Sequence, residues 1–215
     1  MKHCTLSSLL RRTLLLCASL LILTANAAAF DTSLDSGLLM LVSKAHTISS
    51  GHVPAIVRLE GINSVSNGMS MCKETAEAFS RMYEDMKADG VSVCNVISGY
   101  RSYSYQKSLV DKKVAQRVAN GMSYQNAYNQ VTVSTAPAGA SEHQLGLALD
   151  LSTGTSSSQN FVNSAAGKWI TQNGWKYGFI RRYDGSKSDL TGIINEAWHY
   201  RYVGVPHAQI MVENN

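Results

Sequence analysis

Apolar and polar positions follow a helical period between residues 69 and 90, where apolar residues recur at spacings of three and four. The residues on this apolar face are Cys72, Ala76, Phe79, Tyr83 and Met86. Gly90 follows the last of them and is typical of a helix end. The pattern predicts an amphipathic helix that buries one face in a core.

Helix and strand patterns both occur in the rest of the chain. Further helices are predicted over residues 104–119, 121–133 and 159–174, the last of them ended by Gly174. Strands are predicted in VSVCNVIS (91–98), LGLALDLS (145–152) and GIINEAWHYRYVGV (192–205), and the apolar run 38–42 suits a strand or a packed arm. Helices towards the front and strands towards the back predict one α+β domain, residues 30–215.

The first 29 residues have the pattern of a secretory signal peptide. Lys2, Arg11 and Arg12 precede an apolar run at residues 14–23, and small residues follow at 25–29. This run is shorter than the roughly 20 apolar residues that a membrane span needs. We therefore expect cleavage of the signal and an exported protein, secreted or in the cell envelope, with no stable membrane insertion. The alternative is that the segment is retained as an N-terminal anchor.

The net charge of the mature chain gives no support for binding to nucleic acid. The chain is 45% hydrophobic and 16% charged, with 19 basic and 15 acidic residues, which is typical of a globular domain. Three of the basic residues belong to the predicted signal, so the mature chain keeps 16 basic against 15 acidic residues, a net charge of +1. The basic pI therefore does not indicate a nucleic-acid partner. A monomer is expected.

Two cysteines, Cys72 and Cys94, lie beyond the predicted signal. An even pair in an exported protein favours a disulfide, and closing this loop would contribute about 3 kcal/mol. The alternative is two free buried thiols. The pair is not favoured as a zinc site, because no CxxC or Cys–His spacing surrounds it.

Ionisable residues lie in strand-like surroundings in three segments, which are SGYRSYSYQ (98–106), SEHQLGLALD (141–150) and NEAWHYRYVG (195–204). The second and third segments each hold a histidine near a carboxylate. His143, Asp150 and His199 would supply two nitrogens and one oxygen, a set of three protein ligands that suits a catalytic zinc. Glu196 would then be free to act as the general base.

Spacing alone leaves other interpretations open. The chain has no HExxH pattern, and a histidine in an apolar strand is more often a packing residue. Tyr100, Tyr103 and Tyr105 could line a substrate cleft or pack in the core, and Gln106 could bind substrate or cap a helix. Residues 181–183 could contact the substrate, although a solvated turn is expected there.

In this order, the three segments resemble the signature blocks of the D-alanyl-D-alanine carboxypeptidase family of VanY type, one of the zinc D,D-peptidases. The SxHxxGxAxD pattern at 141–150 and the ExWH pattern at 196–199 are together quite specific. LMLVSKAHTISSGHVPAIVRL and NGWKYGFIRRY are also similar to family segments, so the resemblance covers about residues 38–206. It implies a small antiparallel sheet flanked by helices, as in Hedgehog-type domains.

The resemblance also implies roles for the ionisable residues. His143, Asp150 and His199 would hold Zn²⁺, and Glu196 would be the catalytic base. The substrate would be a peptidoglycan stem peptide, from which the enzyme removes the terminal D-alanine.

Five further residues match, or lie beside, family positions that face the substrate. Arg101 would stabilise the oxyanion or bind a terminal carboxylate, and a structural salt bridge is its alternative. Ser141 and Trp198 match positions that line the site. Tyr100 and Gln106 are additional candidates for substrate binding.

Three alternatives to this function remain. The same zinc site could serve an L,D-carboxypeptidase or a peptidoglycan endopeptidase. A non-catalytic cell-wall-binding module would be marked by loss of Glu196 or of a zinc ligand, and here all are present. A purely structural zinc usually has four protein ligands, and three are found.

Overall fold

The structure is a computed structural model that describes residues 37–62, 64 and 69–214. The predicted signal peptide lies outside these residues. Within them, no helix combines the length and the hydropathy that crossing a membrane requires.

Six strands form two antiparallel sheets in the described part of the chain. They are β1 (Ile56–Arg58), β2 (Ser70–Cys72), β3 (Asn95–Ser98), β4 (Ala148–Ser152), β5 (Phe179–Arg181) and β6 (His199–Tyr202). Strands β1 and β2 pair with each other, and the larger sheet has the order β3-β4-β6-β5 with every pair antiparallel.

Within the described residues, six α-helices accompany the sheets. They are α1 (Lys73–Ala88), α2 (Tyr103–Ala119), α3 (Tyr124–Thr132), α4 (Ala165–Asn173), α5 (Ser188–Thr191) and α6 (Val205–Asn214). The predicted α+β class is confirmed, and so are the predicted helices at α1 to α4 and the predicted strands at β3, β4 and β6.

The larger sheet has one apolar face and one polar face because side chains alternate along its strands. Leu149 and Leu151 of β4 and Tyr200 of β6 join the main core, together with Phe79 and Met82 of α1. The intervening residues of β4 and β6 point to the opposite face. That face carries the ionisable groups described below.

Helix α2 forms a wall beside the polar face of the sheet, and α3 packs against α2. Ser102 caps α2 by accepting a hydrogen bond from the Tyr105 backbone N–H. The two helices pack through a separate apolar cluster that includes Val110, Val114 and Val131. This packing fixes the direction in which the other residues of α2 project.

Several elements were not predicted. The strands β1, β2 and β5 have only three residues each, too short for a period-two pattern to stand out. Residues 181–183 do not form the expected solvated turn, because Arg181 belongs to β5 at the edge of the sheet. The helix α6 also follows directly after the predicted final strand.

The apolar run 38–42 forms a packed arm rather than a strand. Val42 is buried with Leu145 and Leu147. Arg201 of β6 donates from Nη2 to the backbone oxygens of Leu38 and Met40, at 2.9 and 3.2 Å. The arm is thus held to the polar face of the sheet by hydrogen bonds as well as by apolar packing.

The predicted disulfide is wrong, because Cys72 and Cys94 are both free thiols. Cys94 is buried in the main core, whereas Cys72 packs against a different apolar cluster, beside the arm. The Cys72 thiol donates to the Leu145 carbonyl at 3.2 Å. An even pair of cysteines in an exported protein favours a disulfide, but the fold directs the Cys72 and Cys94 side chains into separate apolar clusters.

A reducing agent is therefore expected to leave the stability of the mature chain unchanged. A bridge across this loop would have contributed about 3 kcal/mol, which a comparison of melting temperatures with and without reductant would detect. Titration of thiols in denaturant without reductant should give two per mature chain. A melting temperature that falls on reduction would contradict the free-thiol structure.

Candidate active site

Strand register brings Asp150 and His199 together. In the antiparallel pairing of β4 with β6, these two residues lie directly opposite each other, so their side chains leave the sheet on the same face. Ser98 of β3 pairs with Asp150 from the other side. The three residues form a row across the polar face of the sheet.

His143 reaches the same place from a turn that precedes β4. It lies in the 3-10 turn Glu142–Leu145, which ends at Gly146 with φ 68°. A Cβ at Gly146 would lie 3.0 Å from Cys72 Sγ and 3.1 Å from Cys72 N. Gly146 is therefore needed both for the left-handed backbone and for the close approach of the start of α1.

The three predicted zinc ligands form one buried cluster. Asp150 Oδ1 lies 3.3 Å from His143 Nε2 and 3.1 Å from His199 Nδ1, and all three ligand atoms lie within 4.8 Å of one another. The histidine rings meet edge to face, with centroids 4.9 Å apart. Residues from two separate segments thus converge on one point, as the sequence predicts.

The orientation of both histidines fits a metal ion. The Gly99 carbonyl lies 2.8 Å from His143 Nδ1 and can only accept, so Nδ1 carries the proton and Nε2 faces Asp150. For His199, Nε2 lies 3.1 Å from Glu142 Oε2, which leaves Nδ1 facing Asp150. Metal-binding histidines are typically oriented in this way by a partner on the other ring nitrogen. Two nitrogens and one carboxylate oxygen suit a catalytic zinc with an open position.

The surroundings shift the pKa values of the two histidines in opposite directions. Burial, followed by the charge of Arg101, lowers the pKa of His143 to about 4. Burial also opposes the charged form of His199, but hydrogen bonds to Asp150 and Glu142 raise its pKa to about 9. His143 is consequently a neutral nitrogen donor at pH 7.

Glu196 lies beside the cluster without joining it. Its carboxylate is 3.9 Å from His199 Nδ1 and it lines the cavity over the three ligands. Its backbone N–H donates to the Tyr183 carbonyl at 2.9 Å, which ties the segment before β6 to the end of β5. Burial raises the pKa of Glu196 to about 7. A carboxyl group in this position can exchange protons near neutral pH.

Arg101 contacts the cluster directly. It donates from Nη2 to Asp150 Oδ2 at 2.6 Å, from Nε to Ser98 Oγ at 2.8 Å and from Nη1 to Gln106 Oε1 at 3.4 Å. Gln106 is fully buried and donates to the Ala136 carbonyl at 2.7 Å. Arg101 therefore forms the salt bridge that the sequence left as an alternative, while still lining the cavity.

The remaining predicted residues separate into two groups. Ser141 and Trp198 line the cavity. Neither Tyr100 nor Gln106 is among the described residues that line it; Tyr100 donates from its backbone N–H to Ser70 O at 2.7 Å, beside β2. Substrate binding by these two residues remains a prediction, and Gln106 is placed to position Arg101.

Sequence reasoning missed a buried ion cluster behind His199. The side chain of Glu142 is fully buried and contacts His199, Arg201 and Arg182, with Arg201 Nη1 at 3.1 Å from Oε1. Arg201 is 1% exposed. The three cations around it hold the pKa of Glu142 below its usual range, even though burial acts in the opposite direction. An acidic residue directly before a ligand histidine was the available signal.

The cluster lies at the base of an open cavity of about 330 Å³. Its walls come from α2, from the loop 134–136, from the loop 155–157 and from the segment before β6. Tyr183 also lines it, and its ring lies 5.3 Å from that of His199. A cavity of this size accommodates a short peptide segment over the ligand cluster.

Comparison with known proteins identifies the family. The family model described as VanY, D-alanyl-D-alanine carboxypeptidase, matches residues 68–205. A D-alanyl-D-alanine carboxypeptidase of Enterococcus faecium is 37% identical over 187 residues, which cover 83% of this chain and 55% of that protein. The chain thus spans about half the length of the curated relatives it matches first.

Solved structures show the same fold. The vancomycin-resistance D,D-pentapeptidase VanY, in a mutant form in complex with Zn(II), has a TM-score of 0.68 and 31% identity, covering 82% of this chain and 93% of that chain. The LD-carboxypeptidase LdcB has a TM-score of 0.72 and 32% identity, covering 82% and 81%. The chain belongs to the VanY D-alanyl-D-alanine carboxypeptidase family.

Proposed function

We propose that the protein is a zinc-dependent D,D-carboxypeptidase that removes the terminal D-alanine from peptidoglycan stem peptides. The observation that carries the proposal is a buried cluster of three zinc-type ligands with an additional carboxylate, Glu196, beside it in an open cavity. The enzyme would act as a monomer, secreted or held in the cell envelope. The predicted signal peptide supports this location.

The chain's own residues would have separate roles in peptide hydrolysis. His143, Asp150 and His199 would hold zinc, which would supply a Lewis acid and lower the pKa of water. Glu196 would accept a proton from the attacking water and deliver it to the leaving amine. Arg101, held against Asp150 and Ser98, presents its positive charge to the developing oxyanion.

The test of this function compares three substrates with the zinc-loaded mature protein. Release of D-alanine from a pentapeptide stem that ends in D-alanyl-D-alanine is the expected result. The other two substrates are a tetrapeptide stem and a cross-linked dimer, each at the same concentration. Cleavage of none of the three would contradict the proposed activity.

An L,D-carboxypeptidase is the second candidate function. It is favoured by the similarity to LdcB, whose TM-score of 0.72 exceeds the 0.68 of VanY. In that case the tetrapeptide stem would be cleaved faster than the pentapeptide. The ratio of the two kcat/KM values separates the candidates.

Removal of zinc is expected to abolish activity and to lower stability. Because zinc would bind the folded chain, a concentration of 1,000 times its Kd would add about 4 kcal/mol to the free energy of unfolding. Dialysis against a chelator, followed by an activity assay and thermal unfolding, measures both effects. Zn²⁺ should restore both, and full activity in verified metal-free protein would contradict the proposed site.

A further inference from the structure

A second cation lies in the wall of the catalytic cavity. Lys113 of α2 donates from Nζ to Thr135 Oγ1 at 2.7 Å, and both residues line the cavity together with Glu196. Thr135 is 6% exposed, and its hydroxyl accepts this hydrogen bond. This hydrogen bond holds the ammonium group at the cavity surface.

Two of the other cations of α2 have partners outside the cavity. Lys107 forms a salt bridge with Asp111 at 2.6 Å, and Arg117 donates to Gln130 at 2.7 Å. No carboxylate in the described part of the chain forms a salt bridge with Lys113. Burial, and then the charges of Arg101 and Arg117, lower its pKa. The charges of Glu196 and Asp150 act on this pKa in the opposite direction. The residue as a whole is exposed, so its ammonium group is accessible to a ligand in the cavity.

Among the described residues that line the cavity, Arg101 is the other basic side chain besides the two histidines, and its guanidinium is already engaged. All three of its nitrogens donate to protein oxygens, and the shortest of these bonds goes to Asp150. Arg101 is thereby directed at the ligand cluster. Lys113 is left as the cavity cation that is available to an anionic group of a substrate.

The position of Lys113 along the helix sets its distance from the reaction centre. Tyr105, Leu109 and Lys113 recur every four residues and all line the cavity. They form one stripe along α2, about 12 Å long at the helical rise of 1.5 Å per residue. An extended peptide covers that length with about four residues. The flexible lysine side chain can reach over part of this distance towards the ligand cluster.

We propose that Lys113 and Thr135 form a carboxylate-binding subsite of the cavity, which takes a free carboxylate of the peptide substrate. The carboxylate is either the C-terminal one or one upstream of the scissile bond. The inference rests on the proposed function, since it names a recognition feature of the same site. A hydrogen bond to a charged group is worth about 1.5–3 kcal/mol, which corresponds to a 10-fold to 150-fold effect on binding.

The test replaces Lys113 with methionine, which keeps the length of the side chain and removes the charge. On a pentapeptide stem, Lys113→Met is expected to raise KM at least 10-fold while kcat changes less than twofold. Lys113→Arg should recover part of the loss. Lys112→Met removes a neighbouring exposed lysine that does not line the cavity, and it should behave as the parent does.

Two amidated peptides identify the carboxylate. One carries a C-terminal amide and the other has its upstream carboxylates amidated. The peptide on which the parent and Lys113→Met become equal lacks the group that Lys113 binds. An equal loss on all the peptides, or no loss on any, would overturn the subsite.

A binding measurement separates this inference from the proposed function. Calorimetric titration of the same peptides into zinc-loaded Glu196→Gln, with and without Lys113→Met, reports the subsite without turnover. If the parent cleaves no peptide, the proposed activity fails. The calorimetric comparison still decides whether Lys113 binds a carboxylate. A larger Kd for the double variant supports the subsite, and an unchanged Kd overturns the subsite.

Discussion

Glu196→Gln is expected to lower kcat for D-alanine release by about 10²–10⁴-fold, the usual contribution of a general base. Glutamine keeps the size of the side chain but cannot accept the proton of the attacking water. Glu196 lies beside the ligand cluster and is not among its three members, so zinc content should remain at one per chain. The measurement combines kcat with the zinc content of the same preparation.

The control for this variant is an exposed glutamate that has no part in the cavity. Glu77 of α1 forms only a long surface salt bridge with Lys73, at 3.8 Å, so Glu77→Gln should keep full activity. If Glu196→Gln retained parental kcat with zinc bound, another group would have to be the base. If it lost zinc, Glu196 would belong to the metal site.

Glu142→Gln is expected to lower the free energy of unfolding by about 3–5 kcal/mol, because it breaks a buried ion cluster and leaves charges without their partner. Arg201 and Arg182 both contact this carboxylate, and its side chain is fully buried. Replacement of the anionic acceptor on His199 Nε2 by a neutral amide should also weaken zinc binding about 10-fold to 100-fold, as is usual for partners of ligand histidines.

Chemical denaturation of the metal-free protein measures the first effect, and competition with a coloured chelator measures the second. Glu74→Gln, an exposed residue in the first turn of α1, controls for loss of one negative charge. The double variant Glu142→Leu/Arg201→Met should recover part of the lost stability, since it removes a charge on both sides. A change below about 0.5 kcal/mol, the range of ordinary surface substitutions, would contradict the role given to Glu142.

The ligand set was predictable because its residues stand out against apolar, strand-like surroundings. Their chemistry and their resemblance to family blocks indicate His143, Asp150 and His199, and the structure places the ligand atoms of these residues within 4.8 Å of one another. Helices α1 to α4 were predictable because their apolar residues recur over several turns. In both cases the information is local in the chain.

The missed features depend on contacts between distant parts of the chain. Whether Cys72 meets Cys94 is decided by the two apolar clusters that they enter, which spacing does not reveal. Glu142 contacts Arg201 and His199 because the fold places β6 beside the turn before β4. Strand pairing and register supply these contacts, and a pattern along one segment does not contain them.

The hydrogen bonds from Arg201 to the arm limit how far the chain can be shortened at its front. If residues 38–40 were removed, a guanidinium that is 1% exposed would lose two backbone acceptors, and buried donors without acceptors are costly. The same arginine contacts Glu142, which in turn contacts His199. Shortened forms prepared for crystallisation or assay should therefore begin before Leu38, because trimming into the arm would disturb the contacts that orient His199.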